Sequence, residues 1–405
     1  MNNNYDVIIV GGGPGGLYAA SVIDKGYKVI VFEKDEVIGE PIICAEGISN
    51  YILKQFFNGT DFPFIRNTFK KVKIKYKGYE ANVDITDMGV VTIDRTKFEQ
   101  YIARKVQEEK GFEIRTNSFV VDAKVDDDGV RVFLENGEEF FGKIIIIADG
   151  VESYLPGKVG INSVCSLKDM YSCYQKIISD GTIDDDVMIF DFTPSVTPGG
   201  YLWVFPRGNK EANFGIGVTS SEDCEKPYKL LEEYRQKYYP ESKILREFPG
   251  CVGVNQLAKI YGERAMVVGD SARAADPITG GGIDNALRTG NFAGIVANLV
   301  LKGNDFSARR LSQYQELVEK DNGYSLKKQN QLREMLIEMS EEELDKFFIS
   351  AINLFNGKRV LSSDFYYTIY SLKSSLKTAG MVINFMGSLM KDKYLLKVIM
   401  RLLWK

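Results

Sequence analysis

An α/β fold is predicted for this chain of 405 residues: a parallel-sheet nucleotide-binding domain, an antiparallel sheet inserted into it, and a helical C-terminus. Three observations predict it. Residues 5–10 (YDVIIV) form a nearly continuous β-branched run opening onto a glycine-rich turn, the pattern of a buried parallel strand. A second glycine-rich loop follows another short apolar run far along the chain, at residues 265–283. Between the two, short alternating runs are separated by turn residues, as in antiparallel strands.

The first motif reads in order as strand, glycines, helix, strand and acid. Gly11-Gly12-Gly13-Pro14-Gly15-Gly16 follows the first strand, a helical stretch runs to about Lys25, and a second strand (residues 27–32, YKVIVF) ends at Glu33. In the GxGxxG frame Gly11 permits the tight turn. Gly13 lets the backbone approach a pyrophosphate, and Gly16 lets helix and strand pack closely. Gly15 lies at the helix start, whose free N–H groups and dipole favour phosphate. Glu33, at the end of the second strand, is placed to accept hydrogen bonds from ribose hydroxyls, and its charge disfavours a 2′-phosphate. That leaves FAD or NAD.

The second motif selects FAD. Residues 265–268 (AMVV) read as a buried strand, followed by Gly269-Asp270-Ser271-Ala272-Arg273 and then by Asp276-Pro277-Ile278-Thr279-Gly280-Gly281-Gly282-Ile283. Asp270 at the strand end can accept from a ribityl hydroxyl, while Gly281, Gly282 and Ile283 open a second helix N-terminus toward the pyrimidine or the pyrophosphate. Residues 119–147 read as a β-meander with turns at Asp127-Asp128-Gly129 and Glu135-Asn136-Gly137. Its last strand (residues 143–148, KIIIIA) leads into Asp149-Gly150. This layout resembles the FAD-binding Rossmann domain of the glutathione-reductase-like superfamily, in its p-hydroxybenzoate hydroxylase branch.

Composition narrows the chemistry. Apolar residues make up 44% and charged residues 26%, which excludes disordered, collagen-like and disulfide-scaffold chains. With 55 acidic against 51 basic residues, no global positive field recruits nucleic acid. The chain has no histidine, so a Ser-His-Asp triad, a Cys-His pair and a histidine-ligated metal are impossible. Cys44, Cys165, Cys173, Cys224 and Cys251 include no CxxC pair. No metal is therefore expected, and the thiols read as reduced, in the cytoplasm. The N-terminus enters a strand at once, so no leader is expected. No run approaches the ~20 apolar residues of a membrane span, so membrane contact would be peripheral.

Two further motifs resemble those of the geranylgeranyl reductase family. Pro41-Ile42-Ile43-Cys44-Ala45-Glu46-Gly47 is similar to its PxxCxxG signature. Tyr201-Leu202-Trp203-Val204-Phe205-Pro206, followed by Gly215-Ile216-Gly217, is similar to YxWxFPx(7–8)GxG. The resemblance covers roughly residues 1–300 and lies nearest the archaeal digeranylgeranylglycerophospholipid reductases, which saturate the isoprenoid chains of membrane lipids. It implies FAD, a polyprenyl lipid substrate and an external electron donor such as NAD(P)H or ferredoxin. It also implies that the Cys44 loop, with Ala45 and Gly47, lies over the working face of the flavin. Arg95 and Lys34 would reach the cofactor, and the Val121 backbone would touch adenine. The residues have their own logic: Tyr201, Trp203 and Phe205 alternate, so they share one face and can wall an apolar slot. Gly215 and Gly217 thin the next strand for a ligand or flavin. Hydride would come from flavin N5, and the proton from Cys44, Tyr201 or water. The competing readings are an FAD-dependent aromatic monooxygenase or halogenase of the same fold and a non-enzymatic flavin carrier.

Residues 1–75, 92–160 and 256–303 are expected to form the FAD domain. Residues 161–255 with 76–91 are expected to form the substrate sheet, and 304–405 a helical region with a helix start at Glu341-Glu342-Glu343. Residues 70–77 (KKVKIKYK) alternate basic and apolar, reading as a lysine-protected edge strand or a contact for anionic headgroups. Residues 391–405 carry five basic side chains and one acidic. Lys393, Lys397, Arg401 and Lys405 form a stripe at helical pitch, which reads as a membrane-surface helix or one docked on the protein's own core.

Overall fold

The computed structural model describes residues 3–220 and 226–360. The chain divides into two units: Met1–Ile42, Asp94–Asp169 and Val252–Tyr324 in one; Ile43–Ile93, Met170–Cys251 and the chain from Ser325 in the other.

The first unit is organised by the strand Asn4–Val10, whose Val7, Ile8, Ile9 and Val10 are buried. Burying each such side chain contributes roughly 2 kcal/mol. It pairs in parallel with Val29–Phe32 on one side and Glu139–Ile147 on the other, Ile8 lying between Ile30 and Ile145. Glu113–Arg115 and Ala265–Val267 extend the sheet in parallel outward from these two strands. Glu139–Ile147 has two roles. Its second half completes the parallel sheet, and its first half turns back, antiparallel, on Val130–Leu134. The expected meander is present, and its first turn is held by the Asp126 carboxylate accepting from the N–H groups of Asp128 and Gly129.

The helices Pro14–Val22 and Ile283–Gly303 lie side by side with their N-termini at the same end. A Cβ on Gly290 would fall 2.4 Å from the Gly15 carbonyl oxygen, and one on Gly294 2.6 Å from Val22 Cβ. The two backbones meet without side chains between them, which brings both helix N-termini together.

The second unit is built on a seven-stranded sheet with Tyr201–Gly208, Glu211–Thr219 and Met170–Ser179 near its middle. One face, with Leu202, Val204, Phe214 and Ile216, packs under the helix Pro227–Tyr238. The other carries Trp203, Phe205, Met188 and Phe190 and meets the helix Glu341–Phe355 through Phe348 and Ile352. That helix starts where the glutamates predict, with a Ser340–Glu343 capping box.

Three expectations change. Lys71–Tyr76 is not an edge: it lies between Tyr79–Asp84 and Val187–Asp191, pairing in parallel with the latter. Lys73 and Lys75 approach Glu80, and Lys77, just past the strand, meets Glu341 and Asp345. Second, residues 43–75 belong with the sheet unit and 161–169 with the nucleotide unit, because long-range strand pairing sets the partition. Third, residues 304–360 are shared between the units. The helix Ala308–Val318 joins the first, where the Tyr314 hydroxyl donates to the Val267 carbonyl at 2.7 Å, while Glu341–Phe355 joins the second. The basic segment 391–405 lies outside the described residues, as does Cys224. Among the described residues no helix is long and apolar enough to cross a membrane, and no cluster of acidic, cysteine or histidine side chains could hold a metal ion.

Candidate active site

The nucleotide unit forms a cradle from its two glycine loops. Gly11 has φ +107°, and a Cβ there would fall 2.1 Å from the Ala148 carbonyl oxygen. Gly16 is equally confined by the Gly11 carbonyl. Around the Cβ position of Gly13, by contrast, nothing lies within 4 Å. This is the open approach that a pyrophosphate needs, at a helix whose first N–H groups have no side-chain cap. Gly15 faces Val268 and Ala286 and serves packing. Glu33 braces the turn, accepting from Gly12 N–H at 2.7 Å and Asp35 N–H at 3.0 Å; a carboxylate so engaged still has lone pairs for ribose hydroxyls.

The second loop closes the cradle. Ser271, which sequence reasoning passed over, joins the two halves: its hydroxyl donates to Asp149 and accepts from Gly150 N–H. Burial raises the Asp149 carboxyl above the usual range, opposed by Ser153, Ser271 and the Lys34 charge. Asp270 lies beside Gly282, whose Cβ would fall 2.9 Å from its carboxylate. Burial raises the Asp270 carboxyl too, and the field of Arg95 opposes it. Arg95 is held by an acid the sequence did not single out: its Nε donates to buried Glu99 at 2.6 Å. Desolvation raises Glu99 as well, with Arg95 again opposing. One arginine thus faces two desolvated carboxyls, Glu99 and Asp270. Gly281 and Gly282 precede the uncapped helix start at Ile283. The Val121 carbonyl accepts from the Tyr154 hydroxyl at 3.1 Å.

In the sheet unit, Tyr201, Trp203 and Phe205 share one face as their alternation predicts, directly opposite Gly217, Gly215 and Asn213. The space over Gly215 is filled from within: a Cβ there would fall 2.2 Å from Trp203 Cζ2. The glycine seats the indole, instead of leaving a bare backbone for a ligand. Phe190 and Phe192, unremarked in the sequence, continue the row, with ring centroids 5.4 and 5.6 Å from Tyr201. Trp203 and Phe205 are nearly buried and Tyr201 is half-buried.

The loop 44–47 rests on this face. A Cβ on Gly47 would touch Met188 and Phe205. The Cys44 carbonyl accepts from Gln175 Nε2 at 2.9 Å, the Ala45 carbonyl from Asn213 Nδ2 at 2.9 Å, and the Cys44 sulfur from Glu46 N–H at 3.2 Å. Glu46, fully buried, meets Arg207 Nε at 2.8 Å and accepts from Asn213 at 2.8 Å. The motif containing Cys44 also straddles the point where the chain leaves one unit for the other, at Ile42.

A glycine cradle built for a dinucleotide, together with a second unit whose aromatic sheet carries a clamped cysteine loop, defines a flavin-dependent oxidoreductase. Residues 6–169 match the model described as glucose inhibited division protein A, and residues 169–252 match the geranylgeranyl reductase catalytic domain. Digeranylgeranylglycerophospholipid reductase of Methanocella arvoryzae is 34% identical over 85% of this chain and 90% of its own length. Digeranylgeranylglycerophospholipid reductase 2 of Methanococcoides burtonii is 33% identical, covering 86% and 88%. The chain belongs to the geranylgeranyl reductase family, and its cofactor is FAD. A geranylgeranyl bacteriochlorophyll reductase-like structure from Thermoplasma acidophilum superposes with TM-score 0.82 at 27% identity, covering 94% of this chain and all of that one. A p-nitrophenol 4-monooxygenase from Pseudomonas putida matches with TM-score 0.70 at 17% identity, over 88% of this chain and 95% of that one, and shares the fold alone.

Proposed function

We propose that this protein is an FAD-dependent reductase that saturates C=C bonds in the geranylgeranyl chains of membrane lipids or their precursors. The observation that carries the reading is the aromatic face of the sheet unit with the Cys44 loop clamped upon it. An isolated alkene offers no polar handle, so binding must come from apolar contact, and the half-buried Tyr201, at the end of the row packed by Trp203 and Phe205, offers it. Orientation then replaces chance encounter and removes part of the entropic barrier. Reduced FAD, when bound, supplies the hydride. The proton completing the bond comes from this chain's own side chains, and Cys44 is favoured over Tyr201. The backbone N–H on its sulfur stabilises the thiolate left behind, and the thiol sits in a loop held at four points.

Arg95, Lys34 and the two glycine loops hold the cofactor in this reading, and the electrons enter from an external donor. The partner surface proposed for residues 391–405 is an anionic membrane, to which their net charge of five basic minus one acidic is suited.

The test is anaerobic single turnover. Dithionite-reduced holoenzyme mixed with a digeranylgeranyl phospholipid should regain the oxidised flavin spectrum while the lipid gains two hydrogens per bond reduced. Cys44→Ser should keep its flavin and slow that reoxidation by about a hundredfold or more, with Tyr201→Phe affected less. A wild-type flavin that stays reduced in the presence of lipid would overturn the reading.

A further inference from the structure

We infer that Glu46 is a positioning residue: together with Arg207, Asn213 and Gln175 it locks the main chain of residues 44–47 in the shape that keeps a backbone N–H on the Cys44 sulfur. This deepens the proposed reduction and rests on it for the role of Cys44. Four features converge. Glu46 has φ +63°, a left-handed conformation that costs a non-glycine residue and persists only where the surroundings impose it. Its polar atoms are engaged: the N–H donates to Cys44 Sγ, the carbonyl accepts from Ile93 N–H, and the carboxylate faces Arg207 and Asn213.

The network is also buried, with Glu46 and Asn213 inaccessible and Gln175 and Arg207 nearly so. Four apolar side chains would hold the sheet at least as well, because a buried ion pair rarely adds net stability. What charges and amides offer over methyl groups is direction. That direction is spent on the loop, since Gln175 and Asn213 send their amide groups to the successive main-chain carbonyls of Cys44 and Ala45. Three consecutive residues are thereby fixed by side chains from three neighbouring strands, which carry Gln175, Asn213 and Arg207. The consequence falls on the sulfur: an N–H held at 3.2 Å favours the thiolate over the thiol.

The experiment compares wild-type holoenzyme with Glu46→Gly and Glu46→Gly/Arg207→Met. Glycine accepts the left-handed backbone, so any defect reports the missing carboxylate and not strain. The readout is the pH profile of iodoacetamide alkylation at Cys44, followed by mass spectrometry of its peptide, beside thermal stability, flavin content, kcat and KM. Cys173, whose thiol burial pushes up to about 12, is the slow-reacting reference in the same digest. In the double variant, which leaves no unpaired cation, the alkylation midpoint should move to higher pH, with about tenfold less thiolate at a given pH, and kcat should fall more than KM rises. The single variant should lose thermal stability, and the double variant should regain it without regaining the Cys44 profile. Recovery of stability and midpoint together in the double variant would overturn the inference. Should the single variant not fold, the double alone decides: a wild-type midpoint there refutes it. Alkylation needs no lipid, so a failure of the proposed lipid reduction would show separately, in the single-turnover assay.

Discussion

Gly11→Val will give a protein that no longer holds flavin. The residue has φ +107°, where a β-branched side chain is strained, and its Cβ would fall 2.1 Å from the Ala148 carbonyl oxygen. Neither side can retreat, because Gly11 N–H donates to the Phe32 carbonyl at 2.8 Å and Ala148 N–H to the Val10 carbonyl at 2.7 Å. Strain and overpacking together should cost roughly 3 kcal/mol or more at the turn, enough to weaken FAD about a hundredfold. The measurement is the FAD-to-protein ratio after purification, with a titration of the apoprotein. Gly13→Ala is the informative companion. Its Cβ meets nothing within 4 Å, so the fold should be untouched while the methyl enters the space a pyrophosphate would use. Wild-type thermal stability with weakened flavin binding is expected. Full flavin occupancy in Gly11→Val would refute the geometry of the turn.

The second large effect is expected at Gly215→Val, and it should fall on turnover more than on flavin content. Here the added Cβ would fall 2.2 Å from Trp203 Cζ2 and 2.4 Å from Cε2. The indole must then leave its seat, disturbing Phe205 and the Gly47 contact beside it. Overpacking of this kind costs about 1–3 kcal/mol, and misplacement of the row should reduce kcat/KM for a polyprenyl lipid about a hundredfold. Flavin content should fall less than turnover, because the glycine cradle lies in the other unit. A compensating change gives the sharper test: Trp203→Phe in a Gly215→Ala background should recover part of the lost turnover, since the smaller ring makes room for the methyl. Full lipid turnover in Gly215→Val would mean that the aromatic row does not bind substrate.

Much of the cradle was legible because its signals are local. A β-branched run, glycines at fixed spacing, a helix and an acid lie within one short stretch, and backbone stereochemistry leaves that pattern few structures. The meander turns and the helix start at Glu341 were readable for the same reason. Glu99 and Ser271 were missed, although Glu99 stands four residues after Arg95, a spacing that pairs opposite charges on a helix. The Gly290–Gly294 pair was also in view, but its meaning depends on which helix lies opposite.

By itself, then, the sequence determined the nucleotide cradle, the shared face of Tyr201, Trp203 and Phe205, and the chemistry that an absence of histidine excludes. Tertiary structure alone decided that Lys71–Tyr76 is an interior strand, that Gly215 seats an indole, and that Glu46 meets Arg207 and Asn213 from 161 and 167 residues away in the chain. The physical reason is that periodicity and turn chemistry act over a few residues. Which distant segments become neighbours is set by the free energy of the whole packed assembly, in which a buried carboxylate is tolerable only where its partners arrive with it.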